Sequence, residues 1–416
     1  MQRVGIVGLG YVGLPLAVAF AEEGLDVIAV DVDHAKLESI SAGESYIEDV
    51  SSERLRSISE RIAATPRYAR LTKADAIVVC VPTPLTANRE PDLGVLRDAG
   101  LALAAVLQED QLIVLESTTY PGTTRECLVP LLEESGMHAG HDFHVAYSPE
   151  RVDPGRTDFT MRTTPKVVGG LTPACGDRAE ELYAHVCNDV VRVSSPDVAE
   201  LTKLLENIFR SVNIALVNEL TLLCDRMGID IWEVVDAAAT KPYGFMRFDP
   251  GPGMGGHCLP VDPFYLSWRA REFDMATEFI ELAGKINQDM PYKCVERVER
   301  ALNDQAKAVR GSRVAILGIS YKPDVADTRQ SPALKIIALL EQMGAEVAYH
   351  DPYVPELQSH LLRSAPYPEL LEGADLVVIL TAHSAVDHRL AVDCGSAILD
   401  LRGVTRHMRA GSAARQ

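Results

Sequence analysis

From Asp197 to Met227 the chain reads as one helix, without glycine or proline, halted at Gly228. Thirty residues of helix span about 45 Å. Apolar residues lie almost all round it, and a helix apolar on every side is buried. It is too long and too apolar for the surface of a small domain. An interdomain spine, a dimer core, or both are the expected uses.

On either side of this helix the pattern is different. Residues 3–7 form a short apolar strand, followed by a glycine-rich turn, a helix to about Gly24 and a second strand at Asp26–Val30. Further apolar runs bounded by turn residues lie at 75–81, 111–116, 143–147 and 190–193, mostly separated by helical stretches. This alternation predicts a parallel sheet with crossover helices. Shorter helices are expected at 230–239, 262–273 and 277–304. The strand–helix pattern restarts at Arg313, with strands at 314–317, 346–349, 376–381 and 397–400 and a helix over 332–343. The predicted fold class is α/β: two doubly wound Rossmann-like domains joined by a long central helix and a helical core. The tail after Arg409 is small and polar and is expected to be disordered.

Composition narrows the function. Lys and Arg total 40 against 59 Asp and Glu, a net charge of −19. Such a chain repels phosphate backbones, so no nucleic-acid partner is expected, and any anionic ligand needs a few locally placed cations. The 8 cysteines contain no C-x-x-C and fit neither a zinc site nor a disulfide framework. A reduced, cytoplasmic protein is the natural reading. His138, His141 and His144 are evenly spaced but lie on a polar turn with no fourth ligand in view, so no metal is expected. The uncharged run Val4–Phe20 mimics a signal peptide or a short membrane span. Four glycines and Pro15 interrupt it, and a regular strand follows, so it reads as soluble structure.

Gly8-Leu9-Gly10-Tyr11-Val12-Gly13 is G-x-G-x-x-G placed between a strand and a helix, the context a dinucleotide-binding turn requires. Gly8 makes the turn, Gly10 lets backbone approach a pyrophosphate, and Gly13 lets helix and strand pack closely. Asp31 ends the second strand, 31 − 8 = 23 residues on. Its carboxylate suits ribose hydroxyls and repels a 2′-phosphate, which favours NAD over NADP.

Cys258 lies in a loop rich in glycine and proline, Pro250 to Pro263, just before a helix begun by Asp262. Cysteine is often a small buried hydrophobe. Glycines that admit a ligand and a helix N-terminus that favours a thiolate point instead to a nucleophile. Beside a dinucleotide domain, that suggests oxidation past the aldehyde through a thiohemiacetal and thioester. On the long helix Lys203, Asn207 and Arg210 share one face at i, i+4, i+7. They are equally well read as a buried ion pair joining domains or as a polar stripe in the active site, with Lys203 stabilising an oxyanion. Glu116 and Glu150 sit at strand ends, where α/β sites gather, and Asp262 is four residues beyond Cys258.

Together these blocks resemble the UDP-glucose/GDP-mannose dehydrogenase family of nucleotide-sugar 6-dehydrogenases. The likeness runs to about residue 405, through GLGYVG at 8–13, CVPTP at 80–84, ESTTYPGTT at 116–124, SPERVDPG at 148–155, LTKLLENIFRSVNIALVNEL at 201–220, GGHC at 255–258, SYKPD at 320–324 and DTRQS at 327–331. The resemblance implies an NAD-binding Rossmann domain over 1–195, a central helical dimerisation domain with the cysteine loop over 196–304, and a UDP-sugar-binding domain over 305–416. It implies a homodimer through the central helix, no membrane partner, and C6 oxidation of a UDP-sugar with two NAD per turnover. By motif, Cys258 is then the nucleophile, Lys203 and Asn207 stabilise charge on the substrate oxygen, and Thr118 and Asp262 position water. Glu150 assists proton transfer or thioester hydrolysis. Lys322 and Arg402 hold the sugar nucleotide, with Arg151, Arg210, Arg247 and Gly255 as further candidates for its binding. Tyr11 and Val12 belong to the cofactor turn, Thr83 and Thr118 line the nicotinamide side, Lys36 touches the adenosine, and Arg329 reaches a partner's cofactor.

Three positions depart from the family pattern: Gln330 where Glu is usual, Gly403 where Asn is usual, and His257 where many members have Ser. The loop PGPGMGGHCLPVDPFYL is most similar to the branch oxidising UDP-N-acetylglucosamine; UDP-glucose and the epimers of the acetamido sugar are the alternatives. Remoter readings are a two-electron hydroxy-acid dehydrogenase with Lys203 as base, and a silent NAD-binding regulator.

Overall fold

The computed structural model describes residues 1–47, 49–86, 88, 90–152, 158–256 and 261–410. They form two compact units: Met1–Glu206 with Phe264–Ala276, and Asn207–Pro263 with Thr277–Gln416.

The first unit holds strands β1 (Arg3–Val7), β2 (Asp26–Val30), β3 (Ile62–Thr65), β4 (Ala76–Val79), β5 (Leu112–Leu115), β6 (His144–Tyr147), β7 (Lys166–Gly170) and β8 (Val190–Val193). They form one sheet in the order β3-β2-β1-β4-β5-β6-β7-β8, parallel except between β6 and β7. Helices α1 (Gly13–Glu22), α2 (His34–Ala42), α3 (Ser52–Ser57), α4 (Gly94–Ala104), α5 (Val129–Glu133) and α6 (Pro173–Tyr183) connect the strands. The central strands are buried on both faces, which explains their near-continuous Val, Ile and Leu. The run from Val4 to Phe20 that imitates a leader is β1, the glycine turn and most of α1, with Val4, Ile6, Leu14 and Phe20 fully buried in the core. Two strands escaped the sequence reading. β3 is a half-buried edge of Ile, Ala and Thr, and β7 ends in two glycines and begins with a lysine that is 4% exposed.

The long helix is α7 (Pro196–Met227), and its chain runs from the first unit into the second. Then follow α8 (Ile231–Ala239), α9 (Asp262–Ala270), α10 (Glu278–Asn303) and, further on, α11 (Pro332–Gln342). The expectation that α7 is buried all round is not met within one chain. Leu201, Leu205, Phe209, Leu216, Leu220 and Leu223 are exposed, at spacings that keep them on one side of the helix. The opposite side carries the buried Glu200, Lys203, Leu204, Asn207, Ser211 and Asn218.

The second unit contains a parallel sheet in the order β10-β9-β13-β14, with β9 Arg313–Leu317, β10 Glu346–His350, β13 Leu376–Ile379 and β14 Ala397–Asp400. A small hairpin, β11 (Glu356–Leu357) and β12 (Leu362–Arg363), lies between β10 and β13 in sequence. The α/β class, with one mostly parallel and one wholly parallel four-stranded sheet and a long central helix, is thus as expected. No helix among the described residues is long and apolar enough to cross a membrane.

Candidate active site

In the first unit the glycine turn is built by backbone demands. Gly8 takes φ +92°, in the left-handed region, and a Cβ there would lie 2.7 Å from the Cys80 carbonyl oxygen. At Gly13 a Cβ would lie 1.8 Å from the Gly8 oxygen. Gly10 differs: a Cβ would meet nothing within 4 Å, so the described residues give no packing reason for glycine at this position. An approaching ligand does give one, and no side chain caps the N-terminus of α1. The turn therefore fits a dinucleotide, with the pyrophosphate at the start of α1.

Asp31, 8% exposed at the end of β2, accepts the Leu9 N–H at 2.7 Å on Oδ2 and the Asp33 N–H at 2.9 Å on Oδ1. Lys36 donates to the same Oδ2 at 3.2 Å. Asp31 thus braces the turn, and the cation expected at the adenosine is seen at this carboxylate. Tyr11, in the turn, is 48% exposed, and Val12 is the residue before α1. The Thr83 hydroxyl donates to the Thr118 carbonyl at 2.6 Å, and the Thr83 carbonyl accepts from the Tyr265 hydroxyl. Tyr265, which the sequence reading missed, thereby locks the two threonine loops with an α9 side chain.

Helix α7 anchors the other strand ends. Glu200, fully buried, accepts the N–H groups of Gly122 at 2.6 Å and Thr124 at 2.8 Å, and the Thr124 hydroxyl at 2.6 Å. Burial raises its carboxyl to about 7 despite these donors. One turn further on, Lys203 donates to the main-chain carbonyl of Glu150. No carboxylate is within ion-pair reach of Lys203 among the described residues. Arg151 pairs with Glu206 at 2.7 Å. Glu150 itself follows β6. Burial opposes its charge, but Lys166, the Val152 N–H and Lys203 outweigh that and hold its carboxyl below the usual range.

In the second unit Asn207 donates to Asp262, the first residue of α9, and Arg210 donates to Asn207. Asn207 and Asp262 are 1% and 2% exposed. The stripe's polar groups are therefore partnered, as burial requires. The loop before the cysteine is held by buried amides. Asn218 accepts the Gly251 N–H at 3.0 Å and donates to Asn287 at 3.1 Å, and Asn287 donates to the Ser211 carbonyl at 3.0 Å. The Gly256 N–H donates to the Arg329 carbonyl at 3.0 Å, and Gly255 lies against Tyr321, beside Lys322. Arg402 donates to the Leu380 carbonyl at 2.7 Å, and its guanidinium lies against Gly251. Burial lowers its pKa from the ordinary arginine value.

Other candidates are engaged elsewhere. Arg247 bridges Asp236 at 2.7 Å and Asp249 at 2.8 Å on the surface. Arg329 chelates Asp327. Gly403 takes φ +68°, a conformation that Gly and Asn tolerate best, and this accounts for the departure from Asn. Cys258 and His257 lie outside the described residues, as does the tail from 411 on. The spaced histidines diverge: His141 meets Asp142 at 2.8 Å, and His144 meets Asp110 at 3.1 Å.

The doubly wound sheet, the glycine turn and the carboxylate after β2 define a nicotinamide-dinucleotide oxidoreductase. Three family models then match in chain order: the NAD binding domain of the UDP-glucose/GDP-mannose dehydrogenase family over residues 2–187, its central domain over 197–289 and its UDP binding domain over 315–407. A UDP-N-acetyl-D-mannosamine dehydrogenase of Pyrococcus horikoshii is 36% identical over 92% of this chain and 90% of its own. A UDP-N-acetyl-D-glucosamine 6-dehydrogenase of Pseudomonas aeruginosa is 35% identical over the same shares. The solved structure of the UDP-D-ManNAc dehydrogenase from Pyrococcus horikoshii superposes with a TM-score of 0.88, at 33% identity over 96% of this chain and 95% of that one. The chain belongs to the UDP-glucose/GDP-mannose dehydrogenase family and is an NAD-dependent nucleotide-sugar dehydrogenase.

Proposed function

We propose that this protein oxidises C6 of a UDP-N-acetylhexosamine to the carboxylate, four electrons in all. The observation that carries the reading is the Lys203 ammonium, buried without a carboxylate partner among the described residues and held by the Glu150 carbonyl beside the strand ends. A buried cation of this kind is suited to stabilise charge that develops on oxygen. Bound NAD supplies the hydride acceptor, twice per sugar.

The chain's own residues do the rest. Lys203 and Asn207 stabilise the substrate oxygen as its proton leaves, and Glu150 takes or relays that proton. The Cys258 thiolate adds to the aldehyde, and the resulting thiohemiacetal is oxidised to a thioester. Water, positioned by Thr118 and Asp262, hydrolyses that thioester and frees the acid and the thiol. Gly8, Gly10, Gly13 and Asp31 hold the cofactor, with Tyr11, Val12, Lys36 and Thr83 at its edges. Arg402, Lys322 and Gly255 hold the sugar nucleotide. Arg151, Arg210 and Arg247 serve that ligand only by leaving the partners described above.

UDP-N-acetylglucosamine is the preferred substrate on the likeness of the cysteine loop. The 36%-identical relative is named for the mannosamine epimer, which makes that sugar the first competitor. The exposed Leu and Phe row of α7 supports a homodimer through this helix, with Arg329 reaching toward the partner's cofactor. A reduced compartment, the cytoplasm, suits cysteines that are free at all seven described positions. Steady-state kinetics on the glucosamine, mannosamine, galactosamine and glucose substrates, with NADH counted per sugar, test the reading. Two NADH per acetamido sugar, falling to one or fewer in Cys258→Ser, is the expected result. A wild-type yield of one NADH removes the covalent mechanism.

A further inference from the structure

Below the end of β6 lies a buried ionic cluster of which the chemistry above uses only Glu150. Lys166, the first residue of β7, is 4% exposed, and Glu116, at the end of β5, is 1% exposed. The Lys166 ammonium donates to Glu116 Oε1 and lies 3.5 Å from Glu150 Oε2. The Tyr183 hydroxyl, at the end of α6, donates to Glu116 Oε2 at 2.6 Å, and the Lys166 ammonium lies 5.0 Å from the Tyr183 ring centre. Glu150 Oε1 accepts the Val152 N–H at 2.5 Å, while Oε2, also buried, has among the described residues no hydrogen-bond partner and only Lys166 at ion-pair distance. One ammonium therefore serves two carboxylates.

We propose that Lys166 is a positioning residue of the reaction, shared between Glu116 and Glu150, which keeps the Glu150 carboxylate charged and fixed at the end of β6. This rests on the reading that Glu150 takes or relays a proton. Three separate strand ends and α6 converge on Lys166, so its charge is placed by the sheet, not by a flexible loop. The groups facing the pair are Glu116 from β5, Tyr183 and Cys187 from α6 and the turn after it, Cys80 after β4, and Lys203 from α7. Of these only Lys203 adds positive charge to that of Lys166. The remainder are acids or thiols that resist ionising there: burial pushes the Glu116 carboxyl up to about 7 and the Tyr183 and Cys80 groups above their ordinary values.

The test is the pH profile of kcat for Lys166→Met, Lys166→Arg and the double variant Lys166→Met/Glu116→Gln. In Lys166→Met the acid limb should move up by about one to two pH units, so that kcat well below the limb's midpoint falls roughly 10–100-fold and recovers as pH rises, with KM nearly unchanged. Lys166→Arg should keep the limb within about half a unit of wild type. The double variant should regain part of the shift, because it also removes the neighbouring negative charge. A uniform fall in kcat with an unmoved limb, or a limb that Glu116→Gln fails to rescue, overturns the proposal. If Lys166→Met does not fold, the neutral double variant set against Lys166→Arg decides the same question. Infrared difference spectra of carboxyl protonation need no substrate. A carboxyl that titrates higher in Lys166→Met, and vanishes when Glu150→Gln is added, supports the proposal even if wild type oxidises no UDP-sugar; its absence refutes it.

Discussion

At the end of β1, Gly8 turns with φ +92° and donates its N–H to Val30 at 2.8 Å; at the end of β9, Gly318 turns with φ +77° and donates to His350 at 2.9 Å. In both sheets an aspartate after the neighbouring strand braces the turn: Asp31 accepts from Leu9 at 2.7 Å, and Asp351 accepts from Ile319 at 2.8 Å. The likeness ends there. Asp351 also accepts the N–H groups of Ser320, Tyr353 and Val354 and lies 3.0 Å from His383 Nε2, and it is 2% exposed. A carboxylate offers about four lone-pair sites, so Asp351 has none left for a ribose. Asp31 has the lighter load of two backbone N–H groups and one lysine. Where Gly10 leaves open space, Ser320 is 1% exposed and its hydroxyl donates to the Lys322 carbonyl at 2.8 Å. The same turn can therefore be a cofactor site or a structural joint, depending on whether the chain's own groups have already saturated it.

The largest effect that tests this contrast is at Gly10. Gly10→Val should keep the melting temperature close to wild type, since nothing lies within 4 Å of the new Cβ, while NAD binding weakens by roughly 100-fold or more. Calorimetric titration with NAD and a thermal melt check both halves; retained NAD affinity breaks the contrast. Next comes the aspartate pair. Wild type should prefer NAD over NADP by well over tenfold, and Asp31→Asn should bring the two cofactors toward parity, because a buried like-charge clash with the 2′-phosphate is relieved. Asp351→Asn should leave the preference intact and cost about 1–3 kcal/mol of stability through its network. Gly13→Ala should show the reverse of Gly10→Val, a loss of about 1–3 kcal/mol in denaturant melts before any cofactor is added, because its Cβ would lie 1.8 Å from the Gly8 oxygen.

The smallest expected effect is on the pH dependence of stability, and its sign differs between the units. Burial raises Glu116 and Glu200, in the first unit, to about 7. The unfolded chain ionises them near 4.3, so their contribution is greatest at acid pH and declines as pH rises from about 4.3 through 7. Burial opposes ionisation of Asp351 too, but His383 and the backbone donors hold its carboxyl below the ordinary value. Its contribution is full above about 3.9 and is lost as pH falls below that. Between pH 5 and 8 the melting temperature of Glu200→Gln should therefore vary less than that of wild type, whereas Asp351→Asn should leave that dependence unchanged. Parallel curves for Glu200→Gln and wild type would contradict the assignment.

Legibility followed the range of the interactions. The glycine turn, Asp31 and the alternation of strands and helices were plain, because each is local: a positive φ, a strand end and an apolar run act on neighbours in sequence. β3 was missed because an edge strand needs little apolar pattern, and β7 because its lysine and glycines answer to other strands. Lys203 was legible as a polar intrusion in an apolar helix, but not its choice between an ion pair and an oxyanion site, since that depends on which group it meets 53 residues away. Arg247 shows the same limit from the other side: a cation in the right loop is engaged by Asp236, eleven residues earlier.

The sequence by itself determined the two α/β sheets, the long helix between them and the glycine turn that prefers a dinucleotide, because backbone sterics and hydrophobic period are written residue by residue. Only the tertiary structure decided which charges survive burial. Lys166 between Glu116 and Glu150, Glu200 under the Gly122 loop, and Asp351 saturated while Asp31 is not are all facts about partners distant in sequence. The free energy of a buried charge is set by the groups folded against it, and no local pattern records what those groups will be.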